Sequence, residues 1–161
     1  MYNITQSECT TENYRLLHES VKGLLSAEND LIANLANIAS FIYWTLPDVN
    51  WAGFYLLKGD TLILGPFVGK PACTRISIGE GVCGTCVAHG QVVKVDDTNE
   101  FEGHIACDWD TNSEIVLPLT RFGETFGVLD VDSPHANRFT DEDKAGLSAI
   151  VETINKFLEK I

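Results

Sequence analysis

The chain has 161 residues, 45% hydrophobic and 21% charged, with a formal net charge of -12, an ordinary balance for one globular domain with a sizeable core. A surface this acidic repels phosphate backbones and argues against nucleic-acid binding. The opening residues lack the basic and apolar blocks of a signal peptide, and no apolar run approaches the roughly 20 residues that span a bilayer, so a cytoplasmic protein without membrane attachment is expected.

Residues 1–10, MYNITQSECT, are polar and are expected to be loose; residues 11–161 read as a single domain. Leu16, Leu17, Val21, Leu24 and Leu25 have helical spacing over 11–26, and Leu31, Leu35, Ile38 and Ile42 repeat the pattern over 28–45 until Pro47 stops it. The period then changes. NWAGFYLLKGD reads as a strand ending in a Lys-Gly-Asp turn, with TLILGPF as its hairpin partner. KPACTRISIGEG suits a loop with a short strand, GVCGTCVAH (81–89) a short helix, and QVVKVDD the next strand. A long stretch, 97–112, has no clean period but carries Phe101, Ile105, Cys107 and Trp109, which suits a folded lid over a pocket. SEIVLPLTR and TFGVLDVDS form a second hairpin, and Thr140 caps a last helix with acids in its first turn. The order predicts an α+β fold: a central antiparallel sheet with helices packed mainly on one face.

In TFGVLDVDS, period two places Phe126, Val128, Asp130 and Asp132 on one face and Leu129 and Val131 on the other. Two carboxylates thus continue an apolar stripe, where an unpaired charge costs several kcal/mol. Either the strand surfaces at Asp130 and the acids are solvated, or they meet a ligand ammonium or hold a proton at a pocket rim. Glu114, opening the neighbouring strand, is placed to join them. Trp51, Gly53, Tyr55 and Leu57 share a face of the first strand. They form either an aromatic core strand or an apolar wall whose notch at Gly53 suits a methyl or methylthio group.

Cysteines stand at 9, 73, 83, 86 and 107. An odd count without an export signal argues against a disulfide framework. Cys83 and Cys86 form a CxxC that suits a redox pair at a helix start, or, with His89, His104 and Cys107, a zinc site. Cys107 has the polar neighbours His104, Asp108 and Asp110, which favours reactivity over burial.

WAGFYLL (51–57), LGPFVGKPAC (64–73), GEGVCGTCVA (79–88), EGHIACD (102–108), SEIVLPL (113–119), GVLDVDSP (127–134) and RFTDED (138–143) together resemble the free methionine-(R)-sulfoxide reductases, single GAF domains. The resemblance covers about 28–160 and implies a GAF-like sheet with a loop-covered pocket on the face away from the helices. It implies thiol-dependent reduction of free L-methionine (R)-S-oxide, without a cofactor or metal. Cys107 matches the attacking cysteine, Cys73 the resolving one and Cys83 a third participant. Cys86 stands where a small residue is usual, and Cys9 lies outside the match. Trp51 and Tyr55 match an aromatic wall, and Glu114, Asp130 and Asp132 match acidic substrate contacts, of which Glu114 or Asp132 would also manage a proton. Recycling by thioredoxin and a homodimer are further expectations of the resemblance. Two competing readings are a non-catalytic GAF sensor of a small ligand and a zinc-stabilised domain.

Overall fold

The computed structural model describes residues 4, 7, 10–103 and 110–161. Two helices open the fold, α1 (Thr10–Ala27) and α2 (Leu31–Thr45), followed by the hairpin β1 (Trp51–Lys58) and β2 (Thr61–Val68) and the short β3 (Arg75–Ser77). Then come α3 (Gly81–His89), β4 (Val93–Val95), a 3-10 turn at Thr98–Glu100, the hairpin β5 (Ser113–Arg121) and β6 (Glu124–Ser133), and α4 (Asp141–Leu158).

Local chemistry sets the helix ends. The Asp30 side chain accepts from the Ala33 N–H at the start of α2, and Leu46, extended as a residue before proline must be, ends it. Thr140 and Asp143 form a capping box at α4. Thr10 already belongs to α1, and the Ser7 N–H donates to Asn13 Oδ1 while Asn13 Nδ2 donates back to the Ser7 carbonyl. The helix therefore reaches one residue further back than its periodicity indicates, and Ser7 is tied to it.

The six strands lie in the order β3-β2-β1-β6-β5-β4, with every neighbouring pair antiparallel. Alternation along the strands sorts the side chains into two cores. On one face, Ala52, Phe54, Ile115, Leu117, Leu119, Leu129 and Val131 pack against α1, α2 and α4. On the other, Trp51, Tyr55, Val116 and Val128 pack with Leu62, Ile76, Val95 and three residues of α3, Val82, Cys83 and Cys86. This is the expected α+β arrangement, with three helices on one face and α3 alone on the other.

Two local expectations need correction. Phe126 does not stay on the face of Val128. It packs against the helix-side core, near a register irregularity between Leu119 and Thr120 of the paired strand, which breaks the period-two count. The strand expected over 91–97 is confined to Val93–Val95, because its pairing with β5 extends only over those residues. The long loop contains a 3-10 turn, and its base is closed by Thr98, whose N–H donates to the Asn112 carbonyl at 3.0 Å and whose Oγ1 donates to the Thr111 carbonyl at 2.9 Å. Among the described residues, no helix is long and apolar enough to cross a membrane.

Candidate active site

The pocket face of three adjacent strands carries the residues singled out in the sequence. Register aligns them in rows: Trp51 opposite Asp132 and Asp132 opposite Glu114 form one row, and Gly53, Asp130 and Val116 form the next. Tyr55 stands opposite Val128 one row further on. Three carboxylates from two strands and an aromatic pair from a third thus converge, and all five line one pocket together with Cys83.

The aromatic wall is stacked. Trp51 lies 5.9 Å from Tyr55 with 24° between the rings and 5.3 Å from Phe67 with 14°. Phe67, on β2, is a member the sequence reading missed; only the hairpin register places it beside Gly53. The notch expected above Gly53 is absent, because the Trp51 indole fills it. A Cβ at Gly53 would sit 2.4 Å from Phe67 Cβ and 2.6 Å from Trp51 Cη2. The glycine is there to let the indole lie flat along its own strand.

The wall also anchors the segment that carries Cys73. Trp51 Nε1 donates to the Lys70 carbonyl at 3.1 Å, and the Tyr55 hydroxyl donates to the Cys73 carbonyl at 3.0 Å. Cys73 is half-buried and disulfide-bonded, whereas Cys83 and Cys86 are free thiols. Cys107 and His104 lie outside the described residues. Lys70, on the pocket lining, pairs with Asp110 where the long loop returns to β5.

Electrostatics divide the groups sharply. Glu114 and Asp130 are buried, at 7% and 6% exposure, and Asp132 is half-buried. Burial first, then repulsion from Asp132, pushes the Glu114 carboxyl well above its usual range. Burial and then repulsion from Glu114 does the same to Asp130. The Cys83 thiol is pushed up by burial and by the same carboxylates, so it is a neutral thiol and a poor nucleophile. Asp130 Oδ1 is buried without a hydrogen-bond partner among the described residues.

Helix α3 starts at the pocket. Glu80, its N-cap residue, provides no side-chain capping bond, and Gly81, Val82 and Cys83 line the pocket, so the first-turn N–H groups offer a site for a carboxylate. The CxxC does not act as a unit. Cys83 faces the carboxylates, while Cys86 is fully buried, contacts the Val116 carbonyl through Sγ at 3.7 Å and has its thiol pushed up to about 12 by burial and the nearby acids. His89, at the far end of α3, is exposed. Cys83, Cys86 and His89 therefore do not converge on a common zinc site.

A curled antiparallel sheet backed by helices, with its pocket on the opposite face, defines a GAF domain, and the family model of that description matches residues 30–158. Comparison with individual proteins narrows the class. The free methionine-R-sulfoxide reductase of Escherichia coli is 52% identical over 148 residues, which cover 92% of this chain and 90% of that one. The free methionine-R-sulfoxide reductase of Neisseria meningitidis, solved in complex with its substrate, superposes with a TM-score of 0.94 at 38% identity, covering 99% of this chain and 96% of that one. The Staphylococcus aureus fRMsr, solved in complex with substrate, gives 0.87 at 43% identity, covering 98% and 99%. The chain belongs to the free methionine-R-sulfoxide reductase family of GAF domains.

Proposed function

We propose that this protein reduces free L-methionine (R)-S-oxide to methionine at the pocket between β1, β6, β5 and α3. The observation that carries the reading is the convergence of Glu114 and Asp130, whose carboxyls burial pushes above their usual range, with the Trp51–Tyr55 wall, beside a segment whose cysteine is in a disulfide.

Substrate binding follows from the pocket chemistry. The α-ammonium meets the carboxylates centred on Asp130, where a cation relieves the cost of burying the acids. The α-carboxylate takes the N–H groups at the start of α3. The S-methyl group lies on the indole of Trp51 and the ring of Tyr55. With both α-groups held, a continuing peptide has no path, so the free amino acid is selected.

For the reaction, Cys107 as thiolate attacks the sulfoxide sulfur. Glu114 or Asp132 supplies a proton to the sulfoxide oxygen, which is a poor leaving group as oxide. The oxygen ends on the cysteine as a sulfenic acid and methionine leaves. Cys73 then condenses with the sulfenic acid, forming the Cys73–Cys107 disulfide and releasing water. A dithiol of the thioredoxin class, in the cytoplasm, reduces that disulfide by exchange and is itself oxidised. The disulfide state of Cys73, set against the free and buried Cys83, supports Cys73 as the resolving residue. Cys83, kept neutral beside Asp130, fits a supporting place in the pocket and not a thiolate role.

Incubation of the reduced protein with the resolved (R)-sulfoxide of free methionine and dithiothreitol, with methionine measured by chromatography, tests the reading. Catalytic formation of methionine from this epimer, with little from the (S)-epimer or from N-acetylated sulfoxide, is expected. Stoichiometric binding without turnover would instead identify a sensor, and equal use of the peptide-like substrate would reject the pocket assignment.

A further inference from the structure

Cys83 Sγ and one carboxylate oxygen each from Glu114 and Asp130 lie within 4.8 Å of one another, and all three residues are buried. They come from three elements, α3, β5 and β6. Their meeting is therefore a product of the fold and not of a local sequence motif. The Asp130 oxygen Oδ1, on a side chain 6% exposed and lining the same pocket, has no partner among the described residues. The pocket opens to solvent past the exposed residues Lys70 and Glu80.

We infer that Cys83, Glu114 and Asp130 form a binding site for a single zinc ion, which closes the pocket to its organic ligand. Three protein donors, one sulfur and two oxygens, leave a fourth tetrahedral position for solvent, the donor number of an open zinc site. A Zn–S distance of about 2.3 Å and Zn–O distances of about 2.0–2.2 Å place tetrahedral donors about 3.3–3.6 Å apart. The present separations need to close by at most about 1.5 Å, within reach of rotamer adjustment. A thiolate donor disfavours magnesium and calcium, which take oxygen ligands, and suits zinc. The net charge of -12 raises the local concentration of any cation. Binding releases the protons held on the thiol and the carboxyls, and the ion then satisfies donors that are otherwise costly to bury. An ammonium uses the carboxylates but gains nothing from sulfur, so Cys83 distinguishes the metal from an amino acid at the same place.

Binding does not depend on the proposed activity; only the inhibition arm does. Cobalt(II) added to the full-length protein, with Cys73 kept in its disulfide, should give a near-ultraviolet thiolate-to-cobalt absorption at one equivalent. Equilibrium dialysis against buffered zinc should give one ion per chain. Cys83→Ser should remove the absorption, Asp130→Asn should weaken zinc by at least about tenfold, and Cys86→Ser, which alters a thiol outside the cluster, should leave both unchanged. Zinc should raise the KM for the free sulfoxide without lowering kcat. Absence of the absorption in the parent protein, its survival in Cys83→Ser, or undiminished zinc affinity in Asp130→Asn overturns the inference. Inactivity of the parent would reject the reductase reading but leave the spectral and dialysis tests standing.

Discussion

Glu114 and Asp132 face each other directly across the β5–β6 ladder, two carboxyl groups in the register position where like charges repel most. Trp51 extends the same row on β1, so the repulsion is held beside an apolar surface instead of open water. A fold selected only for stability would place an apolar or oppositely charged pair there.

The cost of that placement is measurable through pH. The folded-state carboxyl of Glu114 titrates above its usual value of 4.5, so its contribution to stability is full below that value and is lost as pH rises toward the folded-state value. Glu114→Gln should therefore match the parent near pH 4 and become progressively more stable than it as pH rises from there through neutrality, each kcal/mol appearing as about 2–4 °C in Tm. Calorimetry across that range checks it; a constant difference between the two proteins would contradict the assignment. Turnover should fall in the same variant, because the amide cannot donate a carboxylic proton.

Tyr55 links substrate wall to redox segment through its hydroxyl on the Cys73 carbonyl. Tyr55→Phe keeps the stacking on Trp51 but deletes that bond, costing about 0.5–1.5 kcal/mol. The expected kinetic result is a nearly unchanged first release of methionine with slower disulfide formation. Quench-flow measurement of methionine and of free thiols separates the two steps, and a parallel slowing of both would argue against the link.

Cys73→Ser should release about one methionine per active site in the absence of reductant and then stop in a thioredoxin-coupled assay. Normal cycling of this variant would transfer the resolving role to another cysteine.

Gly53→Ala introduces a methyl group where Phe67 Cβ and the Trp51 ring are already within 2.6 Å of its position. The indole must lift from the strand, with a loss of about 1–3 kcal/mol and a raised KM. Chemical denaturation and steady-state kinetics on the one variant read both effects.

Far from the pocket, Asp143 accepts from the Tyr14 hydroxyl, the Arg138 guanidinium and both the N–H and hydroxyl of Thr140. Burial pushes its carboxyl up, but these donors outweigh burial and hold it below its usual range. Its stabilisation is present above pH 3.8 and is lost as pH falls through the lower folded-state value. Asp143→Ala should cost about 1.5–3 kcal/mol at neutral pH, since the Tyr14 hydroxyl and the Arg138 guanidinium lose a charged acceptor while Arg138 keeps the Pro47 carbonyl, with KM unchanged.

Much of this was legible in the chain itself. Helical spacing located α1, α2 and α4, the Lys-Gly-Asp turn located the first hairpin, and the paired apolar runs SEIVLPLTR and TFGVLDVDS located the second. Alternation put Asp130 and Asp132 on the same face. Register was not legible. Both pairs lie within the hairpins, but an irregularity between Gly53 and Tyr55 and another between Leu119 and Thr120 shift the register by one residue, so counting back from the turns does not set Glu114 opposite Asp132 or Phe67 beside Gly53. The Gly53 notch failed because period two describes where a side chain leaves the backbone, not where a ring as large as indole comes to rest. Cys86 illustrates the same limit, since a CxxC shows spacing, whereas its inward bond to Val116 depends on how α3 seats on the sheet.

The borders of the sheet carry a further meaning. β3 pairs only with Thr61–Ile63 of β2, and β4 only with Glu114–Val116 of β5. Beyond those stubs, Pro66 and Pro118 interrupt the strands that would otherwise lie bare. A proline offers no N–H to an incoming strand, so neither margin makes a good template for a neighbouring copy. Replacing either proline would open a seam for self-assembly at high concentration while leaving the pocket untouched.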